Sequence, residues 1–202
     1  MADHDLLSLD EAKMALNIDL DNDRFDEELA VFVTAVSERL DDMCGPIVVR
    51  DVTGERHDGG CAIIWPNEQP AAELVSVVEY ASGVATTLTA ETLTIAGDYV
   101  LEEAGTLNAH ICRRASWSDR AFGAGPVVIS YRAGRFDSTD DVSAKFKQAA
   151  AKTLGWLWKG DQGAGSATFG GAEATSLYGL GFALPNGVVE LLAHERKPPL
   201  PA

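Results

Sequence analysis

The sequence has few residues of the kinds that build disulfide, metal or phosphate sites. Its three cysteines, Cys44, Cys61 and Cys112, lie far apart and include no Cys-x-x-Cys pair, which argues against a disulfide framework and against a zinc ribbon. We expect them to be small buried apolar residues. No Gly-Lys-Ser or Gly-Lys-Thr sequence closes a glycine-rich loop, which argues against a phosphate-binding loop.

Long hydrophobic runs are also missing. No apolar stretch approaches the roughly 20 residues that a membrane-spanning helix needs. The chain has 202 residues, of which 46% are hydrophobic and 23% charged, as in a globular domain of ordinary size. The beginning, MADHDLLSLDEAK, is acidic where a secretory signal would be basic and then apolar. We therefore expect a protein that is made in the cytoplasm and has no membrane partner.

Basic residues are scarce. The 16 Lys and Arg residues are outnumbered by 31 Asp and Glu residues, so the net charge is -15. Proteins that bind nucleic acid through its phosphates need clustered Lys and Arg, and this balance argues against that class. About two thirds of the net charge lies in residues 1–42, which contain thirteen acidic residues and three basic ones. Such an acidic surface either favours solubility or repels DNA that passes nearby.

Two groups of residues have the chemistry of an active centre but lack the pattern that would support one. They are His57, Asp58 and Cys61 for a metal, and His110, Ser116 and Asp119 for a catalytic triad. The first group has no second pair of ligands at metal-binding spacing, and the second lies near no nucleophile elbow. We expect no catalytic residue, no cofactor-binding residue and no metal ligand, and hence no enzyme.

Two segments near the beginning have helical spacing. The first, from about Leu9 to Asn17, follows a capping box in which Ser8 caps the helix and Glu11 lies three residues later. The second, Arg24 to Cys44, carries an apolar face and ends at a Gly-Pro pair.

The strongest helical pattern is Ser138 to Lys159. Ser138 or Thr139 is expected to cap this helix, and Gly160 to stop it. Each of the two long helices has one apolar face, so we expect them to return to a shared core and to pack together. The residues expected to be buried there are Phe32, Val36, Phe146 and Ala150.

Between these helices the hydrophobic period becomes strand-like. Short β-branched or aromatic runs, separated by Gly, Pro, Asn and Asp, predict an antiparallel sheet or small barrel. The runs are residues 47–52, 61–65, 74–80, 86–95, 99–102, 107–113 and 127–131.

The last part of the chain begins with a glycine-rich stretch. Gly160 to Gly181 contains seven glycines and almost no apolar periodicity, which predicts a segment that is flexible or held by a partner. Pro185 can open a final helix, in which Val188, Val189, Leu191 and Leu192 lie together.

The fold class predicted from these segments is α+β. A small α-helical bundle core carries a large inserted antiparallel β subdomain, and a flexible Gly-rich loop precedes a C-terminal helix. The expected boundaries are 1–46 for the N-terminal helices, 47–136 for the β subdomain, 137–160 for the central helix, 161–184 for the loop, and 185–202 for the last helix and tail.

The order of the segments points to a family. It is carried by LSLDEAKMALNI, a short acidic turn, the helix ELAVFVTAVSERLDDMCG, a β region that ends in VVISYRAGRF, and the helix DVSAKFKQAAAKTLGWLW. In this order the chain resembles the head-to-tail connector, or adaptor, proteins of long-tailed bacteriophages. The closing GFALPNGVVELLAHERKPP is similar to the end of adaptors from phages of actinobacteria.

The resemblance implies a structural role in a virion. Such adaptors form a homo-oligomeric ring of about twelve copies beneath the portal, in the neck at the head-tail junction. The ring extends the channel for genomic DNA, which passes without specific binding, and it receives the stopper or another neck protein. It needs no cofactor. The alternative is another non-enzymatic neck or tail-completion protein.

Two sets of contact residues are expected on this basis. The residues expected to dock on the portal are Phe182, Leu184, Val188, Leu191, Leu192 and Arg196. The residues expected at the subunit interface are Lys145, Lys152, Lys159, Phe169 and Tyr178. Both assignments have a simpler alternative, in which the last helix folds back on its own core and the lysines, spaced seven apart along the central helix, form a solvated edge.

Overall fold

The computed structural model describes residues 2–162 and 184–197, which have an α+β fold. These residues form two compact units. The helical unit contains residues 2–44, 138–162 and 184–196, and the β unit contains residues 45–137 together with Lys197. No helix in the described ranges has both the length and the apolar character needed to cross a membrane.

The helical unit contains four α-helices. They are α1 (Leu9–Leu16), α2 (Asp26–Cys44), α3 (Ala144–Gln162) and α4 (Asn186–Leu191), with single 3-10 turns at Thr139–Asp141 and Ala193–Glu195. The capping box predicted for α1 is confirmed. The Glu11 N–H donates to Ser8 Oγ at 3.2 Å, and the Ser8 N–H donates to Glu11 Oε2 at 2.8 Å. Asn17 ends the helix in the left-handed conformation.

The packing of α2 against α3 is confirmed. Val36, Phe146 and Ala150 are buried as predicted. Phe32 is only half-buried, because it lies at the margin of the interface. There it packs against Trp158 in a T-shaped arrangement, with 5.7 Å between the ring centroids. The interface therefore has an aliphatic centre and an aromatic margin.

The start and the end predicted for the central helix were wrong. Ser138 precedes a 3-10 turn that begins at Thr139, and the Thr139 hydroxyl donates to the Asp5 carbonyl oxygen at 2.6 Å rather than capping α3. The helix begins at Ala144 and continues beyond Gly160 to Gln162. A single glycine costs a helix only about 1 kcal/mol relative to alanine, so it does not end a helix by itself.

Several acidic residues near the beginning of the chain bind basic residues of the same unit. Lys147 Nζ on α3 lies 2.5 Å from Glu11 Oε1 on α1, and Lys13 Nζ lies 2.7 Å from Asp26 Oδ1 on α2. The Lys13 side chain is only 4% exposed and also donates to the Leu20 carbonyl oxygen at 3.1 Å. These acids therefore join helices rather than form part of a free acidic surface.

The last helix packs against α3 within the chain. Val188 and Leu192 are fully buried, and Lys145 Nζ on α3 lies 2.6 Å from Glu195 Oε1 in the turn after α4. The prediction that partners order this end of the chain was wrong for residues 186–196. The Gly-rich stretch from 163 to 183 lies outside the described residues.

The β unit has eight strands in two antiparallel sheets. The strands are β1 (Arg50–His57), β2 (Ile63–Ile64), β3 (Ala71–Ala81), β4 (Val84–Thr87), β5 (Tyr99–Glu102), β6 (His110–Ala115), β7 (Ser118–Asp119) and β8 (Val127–Ala133). The first sheet has the order β1-β8-β3-β4. The second has the order β2-β6-β5, and β7 pairs with β6.

The core of the β unit uses residues from both sheets. Along β8 every second residue is buried, as expected for a central strand with one face on the core. The buried cluster also includes Val77 from β3, Ile64 from β2 and Ile111 from β6. Residues of the second sheet therefore share one apolar core with residues of the first.

Three sequence predictions for this unit need correction. The strand expected at 86–95 is short, because only Val84–Thr87 pairs with β3, and Leu93 is 99% exposed. The first strand begins at Arg50 rather than at residue 47. Of the three cysteines only Cys44 is buried, whereas Cys61 is exposed and Cys112 is half-buried.

The first prediction concerns the interface between α2 and α3. Phe146→Ala is expected to lower the free energy of unfolding by about 3 to 5 kcal/mol, because it removes a large buried ring and leaves a cavity. Urea denaturation measures the change. Met14→Ala on the exposed side of α1 is the control and should change it by less than about 0.5 kcal/mol. Equal effects of the two substitutions would contradict the account.

The second prediction concerns the charge of Glu11. Burial raises the pKa of this carboxyl, but the bonds to Lys147 and to the Ser8 N–H outweigh burial and hold the pKa below its ordinary value. A lowered folded-state pKa means that the carboxylate stabilises the fold above the unfolded-state pKa of about 4.3, and that this stability is lost as the pH falls through the folded-state pKa.

Glu11→Gln keeps the capping geometry and removes only the charge. It should lower the free energy of unfolding at pH 7 by up to about 1 kcal/mol. The difference from the unsubstituted protein should disappear in acid. Urea denaturation between pH 7 and pH 3 measures it, with Asp10→Asn in the same helical turn as the control. A difference that stays constant over that range would show that the carboxylate charge is not responsible.

Candidate interaction surfaces

The three lysines expected at a subunit interface have different surroundings. Lys145 binds Glu195 in the same chain and thereby fastens the turn after α4 to α3. Lys152 and Lys159 are exposed. The structure therefore gives Lys145 an intramolecular role and leaves two lysines of the stripe for contact with another molecule.

Lys152 and Lys159 border a groove on the helical unit. The groove has a volume of about 610 Å³. Between the two lysines it is lined by Ala15, Gln148, Ala151, Gly155, Trp156 and Pro185. The small residues Ala151 and Gly155 lie four apart on one face of α3 and leave room beside the half-buried Trp156 ring. We call this the lysine groove.

A second apolar surface lies on the outer side of α2. Ala30, Val31, Thr34 and Ala35 form a shallow depression of about 330 Å³ with Glu38 at its edge, and Val31 is 70% exposed. We call this the α2 face. The sequence analysis did not predict this face, because the more pronounced apolar stripe of the same helix is the one that packs on α3. The signal was Val31 and Ala35, four apart on the side of the helix opposite that stripe.

Within residues 2–42, the acidic residues that remain exposed lie in or beside α1 and α2. They are Asp3, Asp10, Asp19, Asp21, Asp23, Glu27, Glu38 and Asp42. The helical unit thus presents a groove bordered by lysines and, on another helix, an apolar face beside carboxylates. Two such surfaces are complementary in charge.

The residues expected to dock on the portal do not form one exposed surface. Val188 and Leu192 are fully buried, and this burial corrects their assignment. Leu184 and Leu191 are half-buried, and Arg196 is exposed. Phe182, and likewise the interface residues Phe169 and Tyr178, lie outside the described residues.

The two trios with active-centre chemistry are not assembled among the described residues. The carboxylate of Asp119 binds the Arg114 guanidinium, and Ser116 lies in the turn between β6 and β7. His57 Nε2 lies 2.6 Å from Glu55 Oε1, and the Cys61 thiol donates to the Asp58 main-chain carbonyl oxygen at 3.7 Å. One other group has its ligand atoms close together, namely Glu102, His110 and Cys112.

The comparisons with known proteins give a clear answer at the level of fold. No protein-family model matches the chain, and no curated protein matches it. Solved structures do. A chain in the neck of an empty gene transfer agent (GTA) particle computed with C6 symmetry has a TM-score of 0.58 and 16% sequence identity, and the match covers 98% of this chain and 92% of that one.

Two further matches agree with the first. A chain in the virion of a native GTA particle has a TM-score of 0.56 and 16% identity, with 98% of this chain and 92% of that chain covered. A chain in the neck of a native GTA particle computed with C12 symmetry has a TM-score of 0.51 and 16% identity, with 100% and 98% covered. This chain is similar in fold to these three chains over nearly its whole length.

Proposed function

We propose that this chain is a structural protein of the neck of a phage-like particle, and that within the neck it is the head-to-tail adaptor. The observation that carries the proposal is the fold likeness to chains of GTA necks, which extends over both the helical and the β unit. A match of that extent accounts for the whole chain, including the β segment between α2 and α3. The proposed location is the virion neck, after synthesis in the host cytoplasm.

The surfaces of the helical unit support assembly into a ring. A closed ring uses two different patches on each subunit, so that the front of one copy meets the back of the next. The lysine groove and the α2 face are two such patches, since one is bordered by Lys152 and Lys159 and the other by acids that include Glu38. The GTA neck structures were computed with C6 and with C12 symmetry, and both are compatible with a ring of twelve.

The charge of the chain supports a place beside DNA without adhesion to it. The net charge of the chain is -15, so its positive side chains are too few to bind the phosphates of DNA strongly. A ring with acidic walls would repel a duplex and let it pass through the channel. In this proposal genomic DNA is therefore cargo that is not bound specifically, and the protein performs no reaction.

The expected partners are the portal on one side and the stopper or another neck protein on the other. Leu184, Leu191 and Arg196, with Phe182, remain proposed for portal docking. Val188 and Leu192 instead hold α4 against the core. The alternative function, another neck or tail-completion protein, predicts a tail-side partner and no binding to the portal.

The third prediction tests ring assembly. Native mass measurement of the purified full chain, alone and after mixing with portal rings, is expected to show about twelve copies bound per portal ring. Lys152→Glu with Lys159→Glu should reduce the assembled fraction at least tenfold, about 1.4 kcal/mol, because it places like charges in the subunit contact.

The matched control for this test is Arg56→Glu with Arg120→Glu. Both arginines are exposed on the β unit, and the pair changes the net charge by the same amount. It should assemble normally. Equal loss in both double variants would show that total charge, rather than the lysine groove, limits assembly. A chain that stays monomeric beside portal rings would contradict the adaptor role.

A further inference from the structure

The second sheet of the β unit brings three possible metal ligands together. Glu102 on β5 lies directly opposite His110 on β6, and Cys112 lies two residues further along β6 on the same face. The ligand atoms of the three side chains all lie within 4.8 Å of one another. Strand β6 provides two of the ligands and β5 provides the third, so the site depends on the register between the two strands.

The spacing between the first two ligands fits a tetrahedral ion. His110 Nε2 lies 3.4 Å from Glu102 Oε2. Nitrogen and oxygen ligands bound at about 2.1 Å to a tetrahedral zinc ion are also about 3.4 Å apart. The Cys112 sulfur lies within 4.8 Å of both other ligand atoms, and the corresponding separation around a tetrahedral zinc ion is about 3.6 Å, so binding needs the sulfur to move by about 1 Å at most.

The histidine is oriented as a ligand should be. His110 Nδ1 lies 2.8 Å from the Asn108 carbonyl oxygen and donates to it, so Nε2, on the Glu102 side, is the ring nitrogen left to bind a metal. The ring also stacks on the Trp65 ring at 4.7 Å between centroids. Metal-binding histidines are commonly fixed in this way by a carbonyl oxygen on the far nitrogen.

The charges around the cluster favour a cation. Arg114 is the nearby positive group, and it contacts Glu91, Glu102 and Asp119. Three carboxylates therefore surround one guanidinium, and the second oxygen of Glu102 remains on the His110 side.

We propose that Glu102, His110 and Cys112 bind one zinc ion, with the fourth position of the tetrahedron open to water. The donor set of one thiolate, one imidazole and one carboxylate is typical of zinc. Binding forms three protein–metal bonds and releases the thiol proton to solvent, with no change in oxidation state. The ion would link β5 to β6, and through the pairing of Cys112 with Ile63 it would also stiffen β2.

Cobalt is the probe for this site, because Co²⁺ takes the same ligands as Zn²⁺ and is coloured. The full chain, without a histidine tag, is reduced, freed of metal and titrated with Co²⁺. We expect saturation at one ion per chain, with a thiolate-to-cobalt charge-transfer band and the strong visible bands of a tetrahedral ion. Zn²⁺ should then bleach both, since zinc binds such sites more tightly than cobalt.

Substitutions assign the ligands. Cys112→Ser should abolish the charge-transfer band, and His110→Ala should weaken Co²⁺ binding at least tenfold. Cys61→Ser and His57→Ala, outside the cluster, should leave both unchanged. Zn²⁺ should raise the melting temperature of the unsubstituted protein and not that of Cys112→Ser, whose fold is checked by circular dichroism. Absence of the band in the unsubstituted protein, or its loss in Cys61→Ser with retention in Cys112→Ser, would overturn the proposal.

Discussion

The helical unit depends on the burial of one apolar face of α2 against one apolar face of α3. Phe146, Ala149 and Ala150 on α3 meet the buried side of α2, where Val33 and Val36 lie. Residues 45–137 separate the two helices in the sequence, so this contact joins segments that lie far apart along the chain. The chain must return from the β unit before this core can close, and every other helix of the unit then packs on the pair.

Polar bonds fasten the remaining segments to this pair. Ser37 Oγ on α2 accepts from the Leu6 N–H at 2.9 Å, and Thr139 binds the Asp5 carbonyl oxygen. Lys147 and Lys145 on α3 hold Glu11 and Glu195. The beginning and the end of the described chain are thus attached to the same helix pair. What remains exposed on it, the lysine groove and the α2 face, is available for contact between copies.

The β unit has a different internal organisation. Its larger sheet is centred on β8, and the smaller one holds the cluster of Glu102, His110 and Cys112. The smaller sheet has short strands, and two of them, Ile63–Ile64 and Ser118–Asp119, have only two residues each. Few main-chain bonds hold strands of that length, so a metal link between β5 and β6 would add most there. The proposed ion therefore concerns the stability of one sheet, independently of the function proposed for the chain.

Features that depend on neighbouring residues were predictable from the sequence. The capping box of α1 and the two amphipathic helices follow from spacings of three and four residues, and the strand Tyr99–Glu102 was placed correctly. The start of α3 was not predicted correctly, because the Thr139 hydroxyl donates to the carbonyl oxygen of Asp5, which is distant in the sequence. An apolar stripe in the last helix was visible, but the sequence did not show that α3 covers it.

The interaction surfaces were only partly predictable for the same reason. Regular spacing identified the lysine stripe, but the pairing of Lys145 with Glu195 depends on how α4 packs. The Glu102 cluster depends on the register between β5 and β6, which periodicity does not determine. Residues that meet through tertiary contacts need the structure, whereas residues that meet through local spacing do not.

The central claim is that the chain forms part of a neck at the head-tail junction. Electron cryo-microscopy of the particle that carries it tests this directly, since the helical and β units can be fitted into the neck density. The account predicts a ring of about twelve copies in contact with the portal, with the lysine groove of each copy facing the next copy. Density for this chain in the tail or the capsid shell, with none beneath the portal, would contradict it.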